Sequence, residues 1–373
     1  MEFPKILLDL SYARLHLIFR CNQKPGAFKI QLEKNHNTYE ILFHDEGDHD
    51  DWMLKLRKIC VLTNFEKKYQ VAEVLGNRGN PYVDKDFDPS FSRHFLGMFV
   101  GDKNGRQSLF CKSLWEKANH LIREPFRNGK SWFWNHEFKE FSKVRLMNEI
   151  EILRALKKKR VLNLREVHET EDSIYLVTDY VHDITLKKVL KTASSPFCMN
   201  KVRDIMYQLF KTLADMASLE ITHRNLKPSN ILMEGQNNIR LINFGLATYI
   251  NGHKANVGIC GTPGYIAPEI LNSRHENRVY DDKVDVFSVG CIFFEMLLGY
   301  PLFKGSKASD ISTLNKKFQY SDLIQLVMKE QKNRIPPSTK LGFLLCEKIQ
   351  LTLFRSWSAL KTLTQWLKAK NIC

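Results

Sequence analysis

The strongest constraint on the fold of this chain is a series of short motifs that follow one another in its second half. A loop of sequence HRNLKPSN begins at His223, and a second loop, INFG, begins at Ile242. The run GTPGYIAPE follows from Gly261, the run DVFSVG from Asp285, and the tripeptide NRI from Asn333. Chance can supply one such tripeptide, whereas the whole series in a fixed order predicts one folded domain built around these loops.

These motifs resemble those of the eukaryotic protein kinases, and are most similar to the serine/threonine kinases of the calmodulin-dependent type. The resemblance covers residues 66–340 and implies an α+β, bilobal fold. It predicts a small β-rich lobe over 66–181 and a large helical lobe over 182–340. A module over residues 1–62 precedes this domain, and a helical tail over 341–373 follows it.

Two positions depart from the family pattern in a way that matters for chemistry. In these kinases one loop aspartate accepts the proton of the substrate hydroxyl, and a second aspartate holds Mg²⁺. Here the two positions are Asn225 and Asn243, and the remaining metal ligand of the family is matched by Asn230. A neutral amide cannot act as a base, and a hard dication prefers charged oxygen ligands. We therefore predict a pseudokinase that acts as a binding or scaffold module; the alternative is an active or weakly active ATP-dependent serine/threonine kinase.

The resemblance also assigns a nucleotide site. Lys112 matches the phosphate-positioning lysine and Glu149 its ion-pair partner, and with Asn225 and Lys227 they form the predicted catalytic set. The residues predicted to contact the cofactor are Gly76, Phe110, Lys112, Thr178, Asp179, Val181 and Leu232.

Two features of the small lobe predict that ATP and Mg²⁺ bind weakly or not at all. The glycine-rich loop can be aligned directly over 76–83, or after an insertion over 89–96, and in both cases Gly76 is the one family glycine that is present. The second alignment leaves a normal distance between the next strand and the lysine strand. The family carries alanine where this chain has Phe110, whose ring adds volume to the adenine slot.

Structural roles follow from the same resemblance. His223, Phe244, Leu153 and Leu164 are predicted to form the stacked apolar column that connects the two lobes. Asp285 is predicted to hold the backbone of the catalytic loop by hydrogen bonds. The apolar and basic stretch 342–370 is predicted to be a helix packed on the large lobe, or else a helix that binds a partner.

The first sixty residues resemble the second half of a pleckstrin-homology domain. Apolar patterns predict strands at 5–10, 15–19, 28–32 and 39–43, and then a helix over 50–60 that packs Trp52, Leu56 and Ile59 on one face. The basic hairpin with which such domains bind phosphoinositides should lie before this segment. We therefore expect a partial module that docks proteins, with an anionic membrane surface as the second hypothesis.

Composition limits the remaining classes of partner. The chain has 373 residues, a net charge of +15 and 8 cysteines without metal-ligand or redox spacing, which is typical of reduced thiols in the cytoplasm. No apolar run approaches the ~20 residues of a membrane span. The basic residues are spread along the chain without a nucleic-acid-binding motif, which disfavours nucleic acid and favours protein partners.

Overall fold

The computed structural model describes residues 13–18, 28–34, 37–63, 69–74, 95–102, 108–115, 136–170, 173–181, 184–235, 237–250, 260–272 and 282–318. The chain divides into two compact units. The first comprises residues up to 150 together with 163–180, and the second comprises 151–162 together with residues from 181 onwards.

The first unit is built on a mixed sheet that contains nine strands within the described residues, in the order β3-β2-β1-β4-β8-β9-β7-β6-β5. The strands are β1 (Arg14–Ile18), β2 (Phe28–Lys34), β3 (Asn37–Phe43), β4 (Val61–Leu62), β5 (Tyr69–Val74), β6 (Phe95–Asp102), β7 (Ser108–Trp115), β8 (Leu164–Glu169) and β9 (Ser173–Asp179). Strand β4 runs parallel to both β1 and β8, and the other neighbours are antiparallel. The N-terminal strands therefore continue into the strands of the predicted small lobe.

The N-terminal strands agree with the sequence patterns, but the helix after them does not pack as predicted. Helix α1 (Glu46–Leu56) begins one turn earlier than expected, because the Asp45 side chain caps it by accepting the Asp48 amide at 3.0 Å. Its buried side chains are His49, Met53 and Leu56. Of the predicted face, Leu56 is buried as expected, whereas the predicted packing of Trp52 and Ile59 was wrong, because Trp52 is 45% exposed and Ile59, beyond the helix, is 42% exposed. The predicted strand 5–10 lies outside the described residues.

The strands of the predicted small lobe follow the second alignment of the sequence. Strand β6 begins at Phe95, whereas the segment 75–94 that would hold the glycine-rich loop lies outside the described residues. In the register between β7 and β9, Phe110 is opposite Thr178 and Lys112 is opposite Leu176. Leu176 belongs to a core that includes Leu146 and Ile150 of helix α2 (His136–Ala155).

The second unit is mainly helical. Its helices are α3 (Leu186–Thr192), α4 (Met199–Ala217), α5 (Pro268–Asn272), α6 (Lys283–Leu298) and α7 (Ala308–Lys317). Four short strands pair as two hairpin-like ladders, β10 (Ile221–Thr222) with β13 (Thr248–Tyr249) and β11 (Ile231–Glu234) with β12 (Asn238–Leu241). Helix α6 is almost entirely buried and carries Asp285 in its first turn.

The sequence pattern of residues 201–218 predicts a long helix, and the structure confirms it as α4. The predicted C-terminal helix over 342–370 lies outside the described residues. No helix in the described part of the chain is both long enough and apolar enough to cross a membrane.

Candidate active site

The loop that begins at His223 is buried along its whole length. Helix α4 ends at Ala217, the two residues of β10 follow, and residues 221–230 all lie in the interior. Arg224 has a φ of 60°, a left-handed conformation that costs a side chain of this type about 1–2 kcal/mol. Such strain persists where the surrounding contacts determine the backbone completely.

The contacts that determine this backbone come from Asp285. Its Oδ2 accepts hydrogen bonds from Thr222 Oγ1 at 2.9 Å and from the His223 amide at 2.6 Å, and its Oδ1 accepts the Arg224 amide at 2.8 Å. Burial raises the pKa of Asp285, and the electrostatic interaction with His223 and these hydrogen bonds oppose that shift. The prediction that Asp285 holds the loop backbone is confirmed.

His223 connects this loop to the second loop. Its Nε2 lies 3.1 Å from the carbonyl oxygen of Ile242, while its Nδ1 accepts the Asn225 amide at 3.3 Å. Because one nitrogen faces an acceptor and the other a donor, the ring fits the neutral tautomer with the proton on Nε2. The ring centroid lies 4.7 Å from that of Phe244, which confirms this pair of the predicted column. Leu153 is buried, and the place of Leu164 in the column stays a prediction.

Asn225 occupies the position of the catalytic base. Its Oδ1 accepts a hydrogen bond from Thr262 Oγ1 at 2.8 Å, so the one oxygen of the side chain is already engaged. Its Nδ2 is buried and has no hydrogen-bond partner among the described residues. A buried amide donor left unpaired costs about 1–3 kcal/mol, a cost that a carboxylate at this position would not carry.

The two predicted metal ligands bind each other. Asn243 Nδ2 donates to Asn230 Oδ1 at 3.3 Å, and Asn230 Nδ2 donates to the backbone carbonyl oxygen of Asn225 at 2.7 Å. Asn243 has a φ of 66°, a left-handed conformation that asparagine adopts more readily than most residues. The side chains of Asn243 and Asn230 thus connect the second loop to the backbone of Asn225, while the Asn225 side chain bonds to Thr262.

The donor set of this chain does not fit Mg²⁺. The ion prefers octahedral oxygen ligands with carboxylates among them, and positions 230 and 243 supply amide oxygens, of which Asn230 Oδ1 accepts an amide hydrogen of Asn243. No cluster of three or more His, Cys, Asp or Glu side chains suited to a metal ion occurs within the described ranges. The loop itself is cationic, because Arg224 and Lys227 are both at least 95% buried in it.

The residues predicted to surround the nucleotide are described in part. In the first unit Thr178 is 4% exposed, and Asp179 forms an ion pair with Arg165. In the second unit Val181 is 6% exposed and Leu232, on β11, is fully buried. Glu149 is 5% exposed on α2. Gly76 and the side chains of Phe110 and Lys112 are not among the described parts of the structure. The ion pair between Lys112 and Glu149 therefore stays a prediction.

Two further supports of the site carried no signal in the sequence. Arg224 Nε donates to the carbonyl oxygen of Leu246 at 2.6 Å, which connects the two loops a second time. Asn315 of α7 is fully buried; its Oδ1 accepts the Gly264 amide at 2.8 Å and its Nδ2 donates to the Ile266 carbonyl oxygen at 2.7 Å. Asn315 therefore holds the segment that follows Thr262, although it is more than forty residues away in sequence.

A β-rich unit, a helical unit and paired loops anchored on a buried aspartate define the class of protein-kinase-like folds. The family model for the protein kinase domain matches residues 133–370, which is more than half of the chain. This chain belongs to the protein kinase family.

Curated relatives are serine/threonine kinases by name. The chain is 35% identical over 186 residues to "Probable serine/threonine-protein kinase 2" of Plasmodium falciparum, which is 48% of this chain and 35% of that protein. It is 35% identical over 172 residues to serine/threonine-protein kinase cds1 of Schizosaccharomyces pombe, which is 45% of this chain and 37% of that protein. It is 34% identical over 173 residues to serine/threonine-protein kinase PLK4 of Xenopus laevis, which is 46% of this chain and 18% of that protein. The alignments thus span less than two fifths of each of these relatives.

Proposed function

We propose that this chain is a pseudokinase, which uses the kinase fold to bind protein partners and transfers phosphoryl groups poorly or not at all. The observation that supports this proposal is that neutral amide side chains stand at positions 225 and 243, where Asn225 bonds to Thr262 and Asn243 bonds to Asn230. These are the positions where the chemistry needs a base and a charged metal ligand. Loss of a positioned general base alone lowers a rate by about 10²- to 10⁴-fold.

The same loops support a binding role because their scaffold is intact. Asp285 and His223 hold the backbone through the hydrogen bonds of an ordered kinase loop, and Thr262 lies within hydrogen-bond distance of position 225. A surface of fixed shape can bind partners without any catalytic step. On this proposal ATP and Mg²⁺ bind weakly or not at all, and the partners are proteins.

Thermal unfolding with ATP, in the presence and absence of Mg²⁺, tests the proposal. A ligand at a hundred times its dissociation constant stabilises by ~2.7 kcal/mol, which is a shift of about 5–10 °C for a domain of this size. We expect no magnesium-dependent shift for the chain as it is. A magnesium-dependent shift together with phosphoryl transfer to a peptide would overturn the pseudokinase proposal.

Restoring the two carboxylates one at a time distinguishes the loss of metal binding from the loss of the catalytic base. Asn243→Asp adds the charged metal ligand, and Asn225→Asp adds the base. We expect a magnesium-dependent shift to appear with Asn243→Asp, and phosphoryl transfer only in the double variant. Asn238→Asp adds the same charge at an exposed position of β12 and is the matched control. If the double variant gains neither property, the altered glycine-rich loop and Phe110 are the cause of the missing nucleotide binding.

An active or weakly active serine/threonine kinase is the second candidate, because the curated relatives carry that name and because Lys227, Asn230 and Thr262 are present at the family positions. In this case a water molecule would substitute for the base. Phosphoryl transfer that depends on Lys112 and Lys227 in the unmodified chain would favour it over the pseudokinase.

A membrane-surface role for the N-terminal module draws little support from charge. Residues 1–62 contain nine acidic residues (Asp and Glu) and nine basic residues (Lys and Arg), so their net charge is zero and the +15 of the chain comes from the remainder. Attraction to anionic lipid needs a local excess of basic residues. The cytoplasm is the compartment that we propose, because the 8 cysteines lack metal-ligand or redox spacing, which is typical of reduced thiols.

A further inference from the structure

Strand β3 forms one end of the nine-stranded sheet. Within the described residues it pairs with β2 alone, so its other edge offers backbone N–H and C=O groups to a further strand. Its sequence, NTYEILF, contains no proline and no lysine, the residues with which proteins usually protect such an edge. The pairing with β2 is continuous from Phe28↔Phe43 to Lys34↔Asn37, without a bulge. This edge is therefore regular and competent to pair.

Apolar side chains lie beside this edge on the face that α1 covers. Tyr39, Ile41 and Phe43 of β3 are partly buried against the N-terminal core. Trp52 of α1 contacts Phe43, with 6.3 Å between the ring centroids, and is 45% exposed. We call these four residues, Tyr39, Ile41, Phe43 and Trp52, the edge groove. Tryptophan is among the residues most often found at interaction hot spots, and Trp52 is partly exposed beside the edge of the sheet.

The rim of the edge groove is acidic. Five acidic residues occur within seven positions at the start of α1, and all are exposed: Asp45, Glu46, Asp48, Asp50 and Asp51. This local charge is opposite in sign to the +15 of the whole chain. Asp45 and Asp48 precede Trp52 by seven and four residues, which places both on its side of the helix.

We propose that the edge groove binds an extended, basic segment of a partner protein, which adds to β3 as a further strand. Its backbone pairs with the edge of β3 that no described strand covers, an apolar side chain packs on Trp52, and Lys or Arg side chains face Asp45 and Asp48. The acidic rim selects this occupant: two copies of the chain joined through this edge would bring their acidic helices together, and an anionic lipid surface would be repelled. The proposal goes beyond the pseudokinase assignment and does not depend on the state of the kinase loops.

Selection from a displayed library of random ten-residue peptides on the full chain tests the chemistry of the partner. We expect the enriched peptides to alternate apolar residues with Lys or Arg, and their binding to weaken as salt is raised. In fluorescence anisotropy, Trp52→Ala and the pair Asp45→Asn with Asp48→Asn should each weaken binding by about tenfold. Asparagine also caps a helix, so the second variant keeps α1 intact.

The helix itself supplies the matched control. Leu54 is 57% exposed on α1, away from the buried His49, Met53 and Leu56 side, so Leu54→Ala removes an exposed apolar side chain outside the groove. Its binding should stay within about twofold of the unmodified chain, because substitutions outside a hot spot are nearly neutral. Equal losses for Leu54→Ala and Trp52→Ala would overturn the proposal.

Backbone methylation of the selected peptide tests the strand addition. Alternate amides of an added strand point toward β3 and away from it, so methylating one set should abolish binding and methylating the other should leave it unchanged. Equal effects of the two sets would exclude strand pairing. Acidic enriched peptides, or no enrichment at all, would contradict the charge assignment. Dimerisation of the free chain in sedimentation, or binding to vesicles of phosphatidylserine, that Trp52→Ala abolishes would assign the groove to another occupant.

Discussion

Two groups of residues around the catalytic loop differ in one chemical property. A carboxylate, Asp285, accepts three hydrogen bonds from Thr222, His223 and Arg224 and fixes the backbone there. Asparagines stand at positions 225 and 243, where the family pattern has aspartates, and Asn230 matches that pattern. The acidic side chain that maintains the shape of the loop is present, whereas the two acidic side chains of the family pattern are replaced by amides. Shape and chemistry in this fold therefore depend on separate residues and can be tested separately.

Removal of the Asp285 side chain should cause the largest loss of stability. Asp285→Ala leaves two backbone amides and the Thr222 hydroxyl without their acceptor in a buried site, and we expect a loss of about 3–5 kcal/mol in the free energy of unfolding. Denaturant unfolding measures it. Lys283→Ala, an exposed change in the first turn of the same helix, is the control and should cost less than about 0.5 kcal/mol. A loss below 1 kcal/mol for Asp285→Ala would mean that the loop does not depend on this carboxylate.

Asn315 tests whether the scaffold extends beyond the loop itself. Asn315→Ala removes two buried hydrogen bonds to the backbone of Gly264 and Ile266, and we expect a loss of about 2–3 kcal/mol. Asn272→Ala is the matched control, since its Nδ2 also donates to a backbone carbonyl, of Lys316 at 3.1 Å, but at an exposed position. Similar losses for the two variants would show that the two buried hydrogen bonds of Asn315 stabilise the fold no more than one exposed hydrogen bond does.

The sequence predicted the parts of this structure that depend on local patterns. Strands β1 to β3 were visible as apolar alternation, and α4 as a long helical pattern. The role of Asp285 followed from the family resemblance, because the motif around it has a fixed order relative to His223. These features depend on neighbouring residues or on a whole motif, and a single sequence is sufficient to recognise either kind of pattern.

Features that depend on tertiary contacts could not be predicted in the same way. Trp52 was expected in the core because apolar spacing alone does not show that Asp45 starts the helix a turn earlier, which brings His49 and Met53 inward. The bond between Asn243 and Asn230 joins side chains thirteen residues apart, and no pattern encodes its geometry. The polar contacts of Asn315 were invisible for the same reason. Side-chain pairing in space determined each of these outcomes.

The smallest change in stability is expected for a substitution of Glu295, the second acidic residue of α6. This helix carries a buried acid, Asp285, and a partly buried one, Glu295. Within the described residues Asp285 accepts three hydrogen bonds, whereas the Oε2 of Glu295 accepts one, from Tyr265 Oη at 2.6 Å. Burial raises the pKa of Glu295, and the bond from Tyr265 and the charges of Lys187 and Lys191 oppose that shift. A carboxyl group whose pKa is higher in the folded state contributes stability that is fully present below its unfolded pKa of about 4.3 and is lost as the pH rises through the folded value.

Glu295→Gln should therefore become more stable relative to the unmodified chain as the pH rises from 4 to 7. Glutamine is neutral at every pH and its Oε1 can still accept the Tyr265 hydroxyl, so the variant lacks the cost of ionising a buried acid. The expected gain is about 1.4 kcal/mol for each pH unit by which the folded and unfolded pKa values differ. Denaturant unfolding of both proteins across this range measures it, and groups that titrate alike in both proteins cancel in the difference. A constant difference, or one that falls as the pH rises, would show that Glu295 is held as an ion and that both acids of α6 act as charges.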